Sequence, residues 1–397
     1  MTASAPGPGH LEPLAVPAGP AALSLLPRLA AALAGGAPVL PYAASSPPPL
    51  VPPHDVAVLP EGLAVVVGTS GSTGSPKRAM LTADALRASA GATHERLGGP
   101  GQWLLPLPAH HVAGLQVLLR SLDAGTEPVV MDLTDGFTPA AFREDVARLD
   151  PGRRHYTSLV PTQLLRVLDH PGGVEALKSF DAVLLGGAGL PPLLRARAVR
   201  AGVPVVASYG MSETAGGCVY DGLPLDCSRV VLDTDGRIGL GGATVAHGYL
   251  GAPELTAAVF TTGADGIRWF RTDDVGHVDV EGHLHVDGRL DDLVNTGGLK
   301  VAPRLVEEAI AEHVPEVAEV VVVGTPHPEW GQAVSALLVL RPDAAGPAPS
   351  VADLRSRLRG ILPAHALPVR ALVAAAVPLA GPGKPDRRAV EAMFTVG

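Results

Sequence analysis

Short apolar segments alternate with helical segments from about residue 60 to residue 210, and this alternation constrains the fold more than any other feature. Apolar segments rich in valine and leucine lie at 63–67, 181–185 and 203–207, with predicted helices at 82–97 and 191–201. Strands that are apolar on both faces are typical of sheets covered by helices. The pattern therefore predicts an α/β protein with doubly wound sheets.

After about residue 225 the pattern changes. Short segments separated by glycine and aspartate, at 237–240, 277–280 and 283–286, predict a small antiparallel β region. Another α+β segment begins near 292, with predicted helices at 303–313 and 350–360 and predicted strands at 317–323, 333–340 and 369–377. A chain of 397 residues with such a change of texture is expected to form two or three domains.

Composition excludes several classes of function. The net charge is −9 and the basic residues form no block, so nucleic acid is not an expected partner. No apolar run reaches the roughly 18 residues that cross a bilayer, which argues against membrane insertion. The two cysteines, Cys218 and Cys227, provide neither a disulfide framework nor a metal-binding spacing, so we expect a reduced, cytoplasmic protein. Nothing in the sequence argues against a homodimer.

The segment 69–77, Thr-Ser-Gly-Ser-Thr-Gly-Ser-Pro-Lys, directly follows the first apolar strand. Glycines let consecutive backbone N–H groups turn toward one anion, and hydroxyl side chains add donors. Lys77 supplies a positive charge for phosphate oxygens. A Walker A loop needs Gly-Lys-Ser/Thr, whereas Ser75-Pro76 precede this lysine and Arg78 follows it. We therefore predict a phosphate-binding loop outside the P-loop class; a flexible surface loop is the alternative.

This segment resembles the first signature of the acyl-adenylate-forming superfamily, which contains acyl-CoA synthetases, nonribosomal adenylation domains and luciferases. Further matches follow in the superfamily's order: Tyr-Gly-Met-Ser-Glu-Thr at 209–214, Trp-Phe-Arg-Thr-Asp-Asp-Val-Gly at 269–276, Gly-Arg-Leu-Asp-Asp-Leu-Val-Asn-Thr-Gly-Gly at 288–298 and Gly-Lys-Pro-Asp-Arg-Arg at 383–388. The resemblance implies a large N-terminal domain of doubly wound sheets plus a small β region at 1–290, shortened at its N-terminus. It also implies a small mobile α+β C-terminal domain at 291–397 that carries Lys384.

The resemblance implies sites for ATP and Mg²⁺. Glu213 takes the position of the metal-binding carboxylate, which suits an ion that keeps several waters and bridges phosphates. Ser212 takes the position of a hydroxyl residue that contacts the α-phosphate. Asp274 takes the position of the ribose-binding aspartate, but Asp273 stands where glycine is usual, so the choice between the two aspartates stays open. For the nucleotide-binding residues at 212–214, the structural alternative is a helix cap. For the segment 186–188, the structural alternative is an ordinary strand–helix turn. The implied nucleotide-binding residues are Thr69, Ser70, Gly71, Ser72, Thr73, Gly74, Lys77, Gly187, Ala188, Tyr209, Gly210, Met211, Ser212, Thr214, Asp274 and Arg289.

Two basic residues suggest how the acid is recognised. His111 matches a superfamily histidine near the acyl pocket; a histidine capping a helix is the alternative. Arg120 ends an apolar helical stretch and must reach water or an anion, because an unpaired buried charge is costly; a cation at a helix C-terminus is the alternative. This spacing, the segment 212–222 and the short chain resemble the o-succinylbenzoate–CoA ligases of menaquinone biosynthesis, in their actinobacterial form. The implied acid-binding residues are His111, Arg120, Ser208 and Gly216, with Arg120 on a second carboxylate.

The resemblance implies a two-step reaction. The acid attacks ATP with release of pyrophosphate, and the thiol of coenzyme A then displaces AMP. Lys384 serves the first step, with Ser212, Glu213 and His111 as the other catalytic residues. Asp291 is the implied hinge, and Gly297 and Gly298 line the tunnel for the thiol.

Alternatives remain for the acceptor and for the acid. The sequence ends without a carrier domain, which favours free coenzyme A as the acceptor. A CoA ligase for another aryl or short acyl acid is one alternative. A nucleotide-binding homologue without catalysis is the other, and the presence of Lys77, Glu213 and Lys384 counts against it.

Overall fold

The computed structural model describes residues 10–56, 59–69, 77–342, 344, 346–381 and 384–394. The chain divides into two compact units. The first comprises residues up to 190, 194–231 and 239–272, and the second comprises 191–193, 232–238 and the chain from 273 onward. The domain boundary at 290 stays a prediction.

The elements up to residue 224 are, in chain order, β1 (Glu12–Val16), α1 (Leu26–Leu33), β2 (Val39–Ala43), α2 (Pro53–Val56), β3 (Leu63–Gly68), β4 (Arg78–Thr82), α3 (Ala83–Arg96), β5 (Gln102–Leu105), α4 (Val112–Asp123), β6 (Val129–Val130), α5 (Pro139–Val146), β7 (His155–Leu159), α6 (Pro161–Asp169), α7 (Gly173–Lys178), β8 (Ala182–Leu185), α8 (Pro192–Arg200), β9 (Val205–Met211), β10 (Gly216–Tyr220) and β11 (Leu223–Pro224). Then follow β12 (Ser228–Leu232), β13 (Arg237–Gly242), β14 (Gly248–Tyr249), α9 (Pro253–Val259), β15 (Phe260–Thr262), β16 (Arg268–Val278) and β17 (Leu284–Arg289). The remaining elements are β18 (Val294–Thr296), β19 (Leu299–Val301), α10 (Pro303–His313), β20 (Val317–His327), β21 (Gly331–Leu340), α11 (Val351–Leu358), β22 (Arg370–Val373), β23 (Leu379–Gly381), β24 (Lys384–Pro385) and α12 (Arg387–Met393).

Two sheets organise the first unit. A seven-stranded sheet has the order β11-β10-β9-β8-β7-β5-β6, in which β9, β8, β7, β5 and β6 are parallel, β10 is antiparallel to β9, and β11 is antiparallel to β10. A five-stranded sheet has the order β1-β2-β3-β4-β14, with β4 and β14 antiparallel to their neighbours. The parallel strands with intervening helices confirm the predicted α/β class.

The buried surfaces explain why these segments form strands and helices. Residues 63–67 are buried on both faces of β3, as their valine-rich sequence predicts. α3 begins at Thr82, whose hydroxyl accepts a hydrogen bond from the Ala85 N–H at 3.1 Å, a normal N-cap. In α4, residues 114–121 are all buried. That burial brings the polar residues of α4 into the interior, where they must find partners.

The second unit contains the predicted α+β segment. β20 and β21 form a long antiparallel pair, and β22 runs parallel to β21. α10 buries Val306, Ala309 and Ile310, which are spaced for one helix face. β17 pairs with the residues of β16 from Asp274 onward. Over the residues that the structure describes, no helix is both long enough and apolar enough to span a membrane.

Some predicted elements differ from the observed ones. The sequence pattern at 21–34 predicts a single helix, whereas the structure has a 3-10 helix, Gly19–Leu25, followed by α1, and each has a proline in its first two positions. Proline is tolerated there because its missing N–H has no partner in a first turn. β4, directly after the phosphate loop, and β1 and β2, in the proline-rich N-terminal segment, were not predicted. Their pairing is long-range, so short local patterns do not reveal it.

Candidate active site

The two ends of the predicted phosphate loop lie side by side. The Thr69 N–H at the end of β3 donates to the Lys77 carbonyl oxygen at 2.8 Å. The predicted ligands between them, Ser70, Gly71, Ser72, Thr73 and Gly74, lie outside the described residues. The Thr69 hydroxyl is buried and, within the part of the chain that the structure describes, has no hydrogen-bond partner. Burying a hydroxyl without a hydrogen bond costs about 1–3 kcal/mol of stability. A ligand oxygen next to Thr69 would supply the missing hydrogen bond.

Tyr249 links Lys77 to Glu213, and sequence patterns did not identify it. It lies on β14 opposite Ala79 of β4, two residues after Lys77. The Lys77 ammonium is 5.5 Å from the centroid of the Tyr249 ring. The Tyr249 hydroxyl donates to Glu213 Oε1 at 2.7 Å. The pairing of β14 with β4 brings Tyr249 next to Lys77, and a two-residue strand leaves no sequence signal.

A tight turn between β9 and β10 carries Ser212, Glu213 and Thr214. The three residues form one 3-10 turn, and all are buried. The Thr214 hydroxyl accepts from the Met211 N–H at 3.0 Å and donates to the Gly216 carbonyl oxygen at 2.8 Å. That hydroxyl therefore closes the turn, and Ser212 remains the predicted phosphate contact.

Buried groups from two helices and one loop hold this turn. Ala215 is left-handed, with φ of 53°, which is unfavourable for a residue with a Cβ. Its carbonyl oxygen accepts from Ser89 Oγ of α3 at 3.1 Å and from Gln116 Nε2 of α4 at 2.5 Å. The Glu213 carbonyl oxygen accepts from the Ala246 N–H at 2.8 Å. Surrounding contacts of this kind keep a strained backbone in place, so Glu213 lies on a fixed turn.

The predicted nucleotide-binding residues Gly187, Ala188 and Tyr209 lie near the ends of two neighbouring parallel strands. β8 leads into Gly186, Gly187 and Ala188, and Gly187 has φ of 78°. β9 carries Tyr209, which is half-buried. A Cβ on Gly210 would come within 2.2 Å of the Gly216 carbonyl oxygen, so the approach of β9 to β10 requires glycine there. The other predicted residues of β9, Ser208 and Met211, are also half-buried.

Two histidines stand at the start of α4. His111 occupies the N-cap position, and its side chain makes no capping hydrogen bond with the helix. The His110 and His111 ring centroids are 4.2 Å apart. Burial, with a further contribution from the adjacent His111, lowers the pKa of His110 to about 4. His110 is therefore neutral at pH 7. The sequence did not indicate that His110 and His111 lie in different environments.

Arg120 faces the core from α4, one turn beyond Gln116, and is 3% exposed. Its guanidinium lies 5.0 Å from the centroid of the Trp103 ring, and one of its Nη atoms donates to the Tyr220 hydroxyl at 3.3 Å. Among the described residues, its Nε has no hydrogen-bond partner. Burial lowers the pKa of Arg120, and the interaction with Tyr220 opposes that effect. Arg120 lies in the last turn of α4, and its side chain is buried there and not exposed to solvent.

In the second unit, the two neighbouring aspartates of β16 differ in burial. Asp274 is 9% exposed and lies opposite Arg289 of β17, with 3.5 Å between Arg289 Nη1 and Asp274 Oδ1. Asp273 has a half-exposed side chain and forms an ion pair with Arg237 at 2.7 Å. Successive residues of a strand point to opposite faces, which accounts for the difference. Binding of ribose by Asp274 stays a prediction.

The predicted hinge and thiol-tunnel residues also lie in the second unit. The Asp291 carboxylate accepts from Arg289 Nε at 2.9 Å and from Arg289 Nη2 at 3.2 Å. Gly297 and Gly298 form the turn between β18 and β19, with φ of 61° and 84°, and such a turn favours glycine. Lys384 begins β24, and its side chain lies outside the described part of the structure.

The residues of the first unit fit a magnesium-bound triphosphate. Mg²⁺ is usually held by one or two carboxylates together with substrate phosphates. Glu213 supplies one buried carboxylate, Lys77 supplies a cation, and Thr69 supplies a hydroxyl without a partner in the described chain. These groups are the kinds that such a ligand needs.

The fold and the site define an acyl-adenylate-forming enzyme, and the chain belongs to the AMP-binding enzyme family. The model of that family matches residues 22–250, and the model of the AMP-binding enzyme C-terminal domain matches residues 305–384. The predicted superfamily is therefore confirmed.

Individual relatives are more specific. The chain is 43% identical over 389 residues to a probable 2-succinylbenzoate–CoA ligase of Mycobacterium tuberculosis, covering 97% of this chain and 98% of the relative. It is 32% identical over 334 residues to the 2-succinylbenzoate–CoA ligase of Geobacillus kaustophilus, covering 78% and 65%. Among solved structures, it is similar to the o-succinylbenzoate CoA synthetase of Bacillus subtilis in complex with its acyl-adenylate intermediate, with a TM-score of 0.72, 25% identity and coverage of 93% and 81%. It is also similar to an amide bond synthetase from Marinactinospora thermotolerans, with a TM-score of 0.78, 26% identity and coverage of 98% and 90%.

Proposed function

We propose that this chain is an AMP-forming acid–CoA ligase that converts 2-succinylbenzoate to 2-succinylbenzoyl-CoA, a reaction of menaquinone biosynthesis. Membership of the AMP-binding enzyme family supports adenylation. The relatives named for 2-succinylbenzoate, one of them similar over nearly the whole chain, support the choice of acid. Lys77 and Glu213 are present in the described site, which counts against a homologue without catalysis.

The burial of Arg120 supports a dicarboxylic acid as the substrate. An arginine that is 3% exposed normally pairs with a carboxylate, because desolvation of an unpaired charge costs several kcal/mol. Within the described chain this guanidinium has only a tyrosine hydroxyl and the face of Trp103. 2-Succinylbenzoate has two carboxylates, so one can react while the other pairs with a cation. We assign Arg120 to the carboxylate that does not react.

The first step needs positioning and charge stabilisation more than covalent help from the protein. The acid carboxylate attacks the α-phosphorus of ATP, and pyrophosphate leaves. We assign Thr69 and Lys77 to the departing phosphates and Ser212 to the α-phosphate. Mg²⁺ bound through Glu213 would neutralise charge on the phosphates. Lys384 is assigned to the negative charge that develops during this step.

The second step transfers the acyl group. The thiol of coenzyme A attacks the acyl carbon of the mixed anhydride, and AMP leaves. We assign Gly297 and Gly298 to the path of the thiol and Asp291 to the hinge that reorients the C-terminal domain between steps. An amine acceptor is the alternative, because an amide bond synthetase has a similar fold.

Exchange of labelled pyrophosphate into ATP tests the adenylation step alone. The proposal predicts exchange that depends on added 2-succinylbenzoate and on Mg²⁺. Product analysis with coenzyme A then identifies the acceptor, and a 2-succinylbenzoyl thioester is expected. Absence of exchange with every acid in a panel of aryl and short acyl acids would instead support a non-catalytic nucleotide-binding protein.

The proposed location is the reduced cytoplasm. Both cysteines are free, and Cys218 is buried. A cytoplasmic enzyme has direct access to ATP, which the first step consumes, and to coenzyme A, which the second step consumes. Fractionation of cells that express the tagged protein would test the location.

A further inference from the structure

Tyr249 contacts two groups that the proposed function assigns to the nucleotide, although it lies outside every signature segment. Its hydroxyl donates to Glu213 Oε1 at 2.7 Å, and its ring centroid lies 5.5 Å from the Lys77 ammonium. Both the tyrosine and the glutamate are buried, at 3% and 7% exposure. One side chain therefore connects the phosphate loop to the predicted metal-binding carboxylate.

The hydroxyl suits the carboxylate electrostatically. A buried carboxylate needs hydrogen bonds to remain charged. The Tyr249 phenol is a neutral donor, so its hydrogen bond to Glu213 brings no positive charge next to the carboxylate. A cation in the same position would cancel much of the negative charge of the carboxylate.

The Tyr249 ring is itself fixed before any ligand arrives. Its backbone N–H donates to Thr256 Oγ1 at 2.9 Å, and its ring meets Phe260 edge-on with centroids 5.3 Å apart. A cation within about 6 Å of an aromatic face is attracted to the ring, which holds the Lys77 ammonium beside the loop. The same residue therefore constrains both charged groups.

We propose that Tyr249 is a positioning residue for the metal–triphosphate end of the nucleotide. Its hydroxyl orients Glu213 toward Mg²⁺, and its ring orients Lys77 toward the phosphates. This inference rests on the proposed function. The two roles use different parts of the side chain, so substitutions separate them: Tyr249→Phe removes only the hydroxyl, and Tyr249→Leu also removes the ring.

Binding of Mn²⁺–ATP to the full-length protein without any acid tests this role. Electron paramagnetic resonance reports bound Mn²⁺, and calorimetry with excess chelator reports ATP binding without metal. We expect Tyr249→Phe to weaken Mn²⁺–ATP binding about tenfold, because a hydrogen bond to a charged group is lost. Binding of metal-free ATP should stay within about twofold, since the ring remains to hold Lys77. Tyr249→Leu should weaken both.

Tyr156→Phe is the matched control. The buried hydroxyl of Tyr156 donates to the Leu97 and Gly99 carbonyl oxygens. Tyr156→Phe therefore also deletes a buried tyrosine hydroxyl, but away from Glu213 and Lys77. It should change the melting temperature and leave Mn²⁺–ATP binding unaltered. Equal loss of binding in both phenylalanine variants would overturn the proposal, as would unchanged Mn²⁺–ATP affinity in a folded Tyr249→Phe protein.

A double-variant cycle adds an independent check. Glu213→Gln should weaken Mn²⁺–ATP binding, and adding Tyr249→Phe should then have little further effect, because the two residues act as one unit. Additive losses would contradict the proposal. Since no acid is present, these results do not depend on whether 2-succinylbenzoate is the substrate.

Discussion

Replacing Arg120 by methionine distinguishes an arginine that binds substrate from one that only supports the fold. In the free enzyme the change removes a contact with the Trp103 ring, worth about 0.5–2 kcal/mol, and one hydrogen bond of 3.3 Å to Tyr220, worth about 1 kcal/mol. It also removes a buried charge without a carboxylate partner in the described chain, whose desolvation costs several kcal/mol. The balance predicts that Arg120→Met melts at the wild-type temperature or above it.

Although Arg120→Met should not destabilise the fold, it should impair the reaction of the acid. A charge-assisted contact between guanidinium and carboxylate is worth about 2–3 kcal/mol, so its loss should lower kcat/KM for 2-succinylbenzoate about 30- to 150-fold. The KM for ATP should change by less than about twofold, because no ATP contact is assigned to this residue. Acid-dependent pyrophosphate exchange and thermal melting measure the two effects on the same preparation.

Arg120→Lys is the matched comparison. It keeps the charge but lacks the planar fork that binds a carboxylate through two nitrogens, so an intermediate loss of acid affinity is expected. A drop of several degrees in melting temperature, together with equal losses for the acid and for ATP, would refute the reasoning. Arg120 would then be part of the packing around Trp103 and Tyr220.

Three further predictions follow from other residues. Lys384→Ala should abolish acid-dependent exchange yet largely spare thioester formation from supplied acyl-adenylate; equal loss of both steps would contradict its assignment. Burial raises the pKa of Cys218 to about 12, so iodoacetamide at pH 8 should leave it unmodified in native protein and label it after denaturation, as mass spectrometry of peptides can show. The folded pKa of His110 is about 4 against 6.5 in the unfolded chain, so the unfolded chain binds more protons between these values. Stability should therefore fall as the pH drops from 6.5 toward 4, and denaturant melts should show a smaller fall for His110→Asn.

Local patterns predicted the elements that are buried on both faces. β3 and β8 were predictable because short valine- and leucine-rich segments bounded by glycine have few alternatives. α3 was predictable because Thr82 is a normal N-cap. β4 was missed because Arg78–Thr82 gains its strand character from pairing with β3 and β14.

The candidate site was partly predictable for the same reason. Motif resemblance pointed to Lys77 and Glu213 one by one, since each lies in a characteristic segment. It did not indicate that Tyr249 joins them, because that contact depends on the pairing of β14 with β4. The sequence indicated that Arg120 needs a partner if it is buried. It did not identify Trp103 and Tyr220, which lie on two separate strands, β5 and β10.

The central claim is that this chain joins 2-succinylbenzoate to coenzyme A at the expense of ATP. The most direct test incubates purified protein with ATP, Mg²⁺, coenzyme A and each acid of a panel that includes 2-succinylbenzoate, benzoate and fatty acids. Chromatography with mass detection identifies the thioester and AMP. We expect 2-succinylbenzoyl-CoA to form with the highest kcat/KM of the panel. A thioester from another acid, with none from 2-succinylbenzoate, would contradict it.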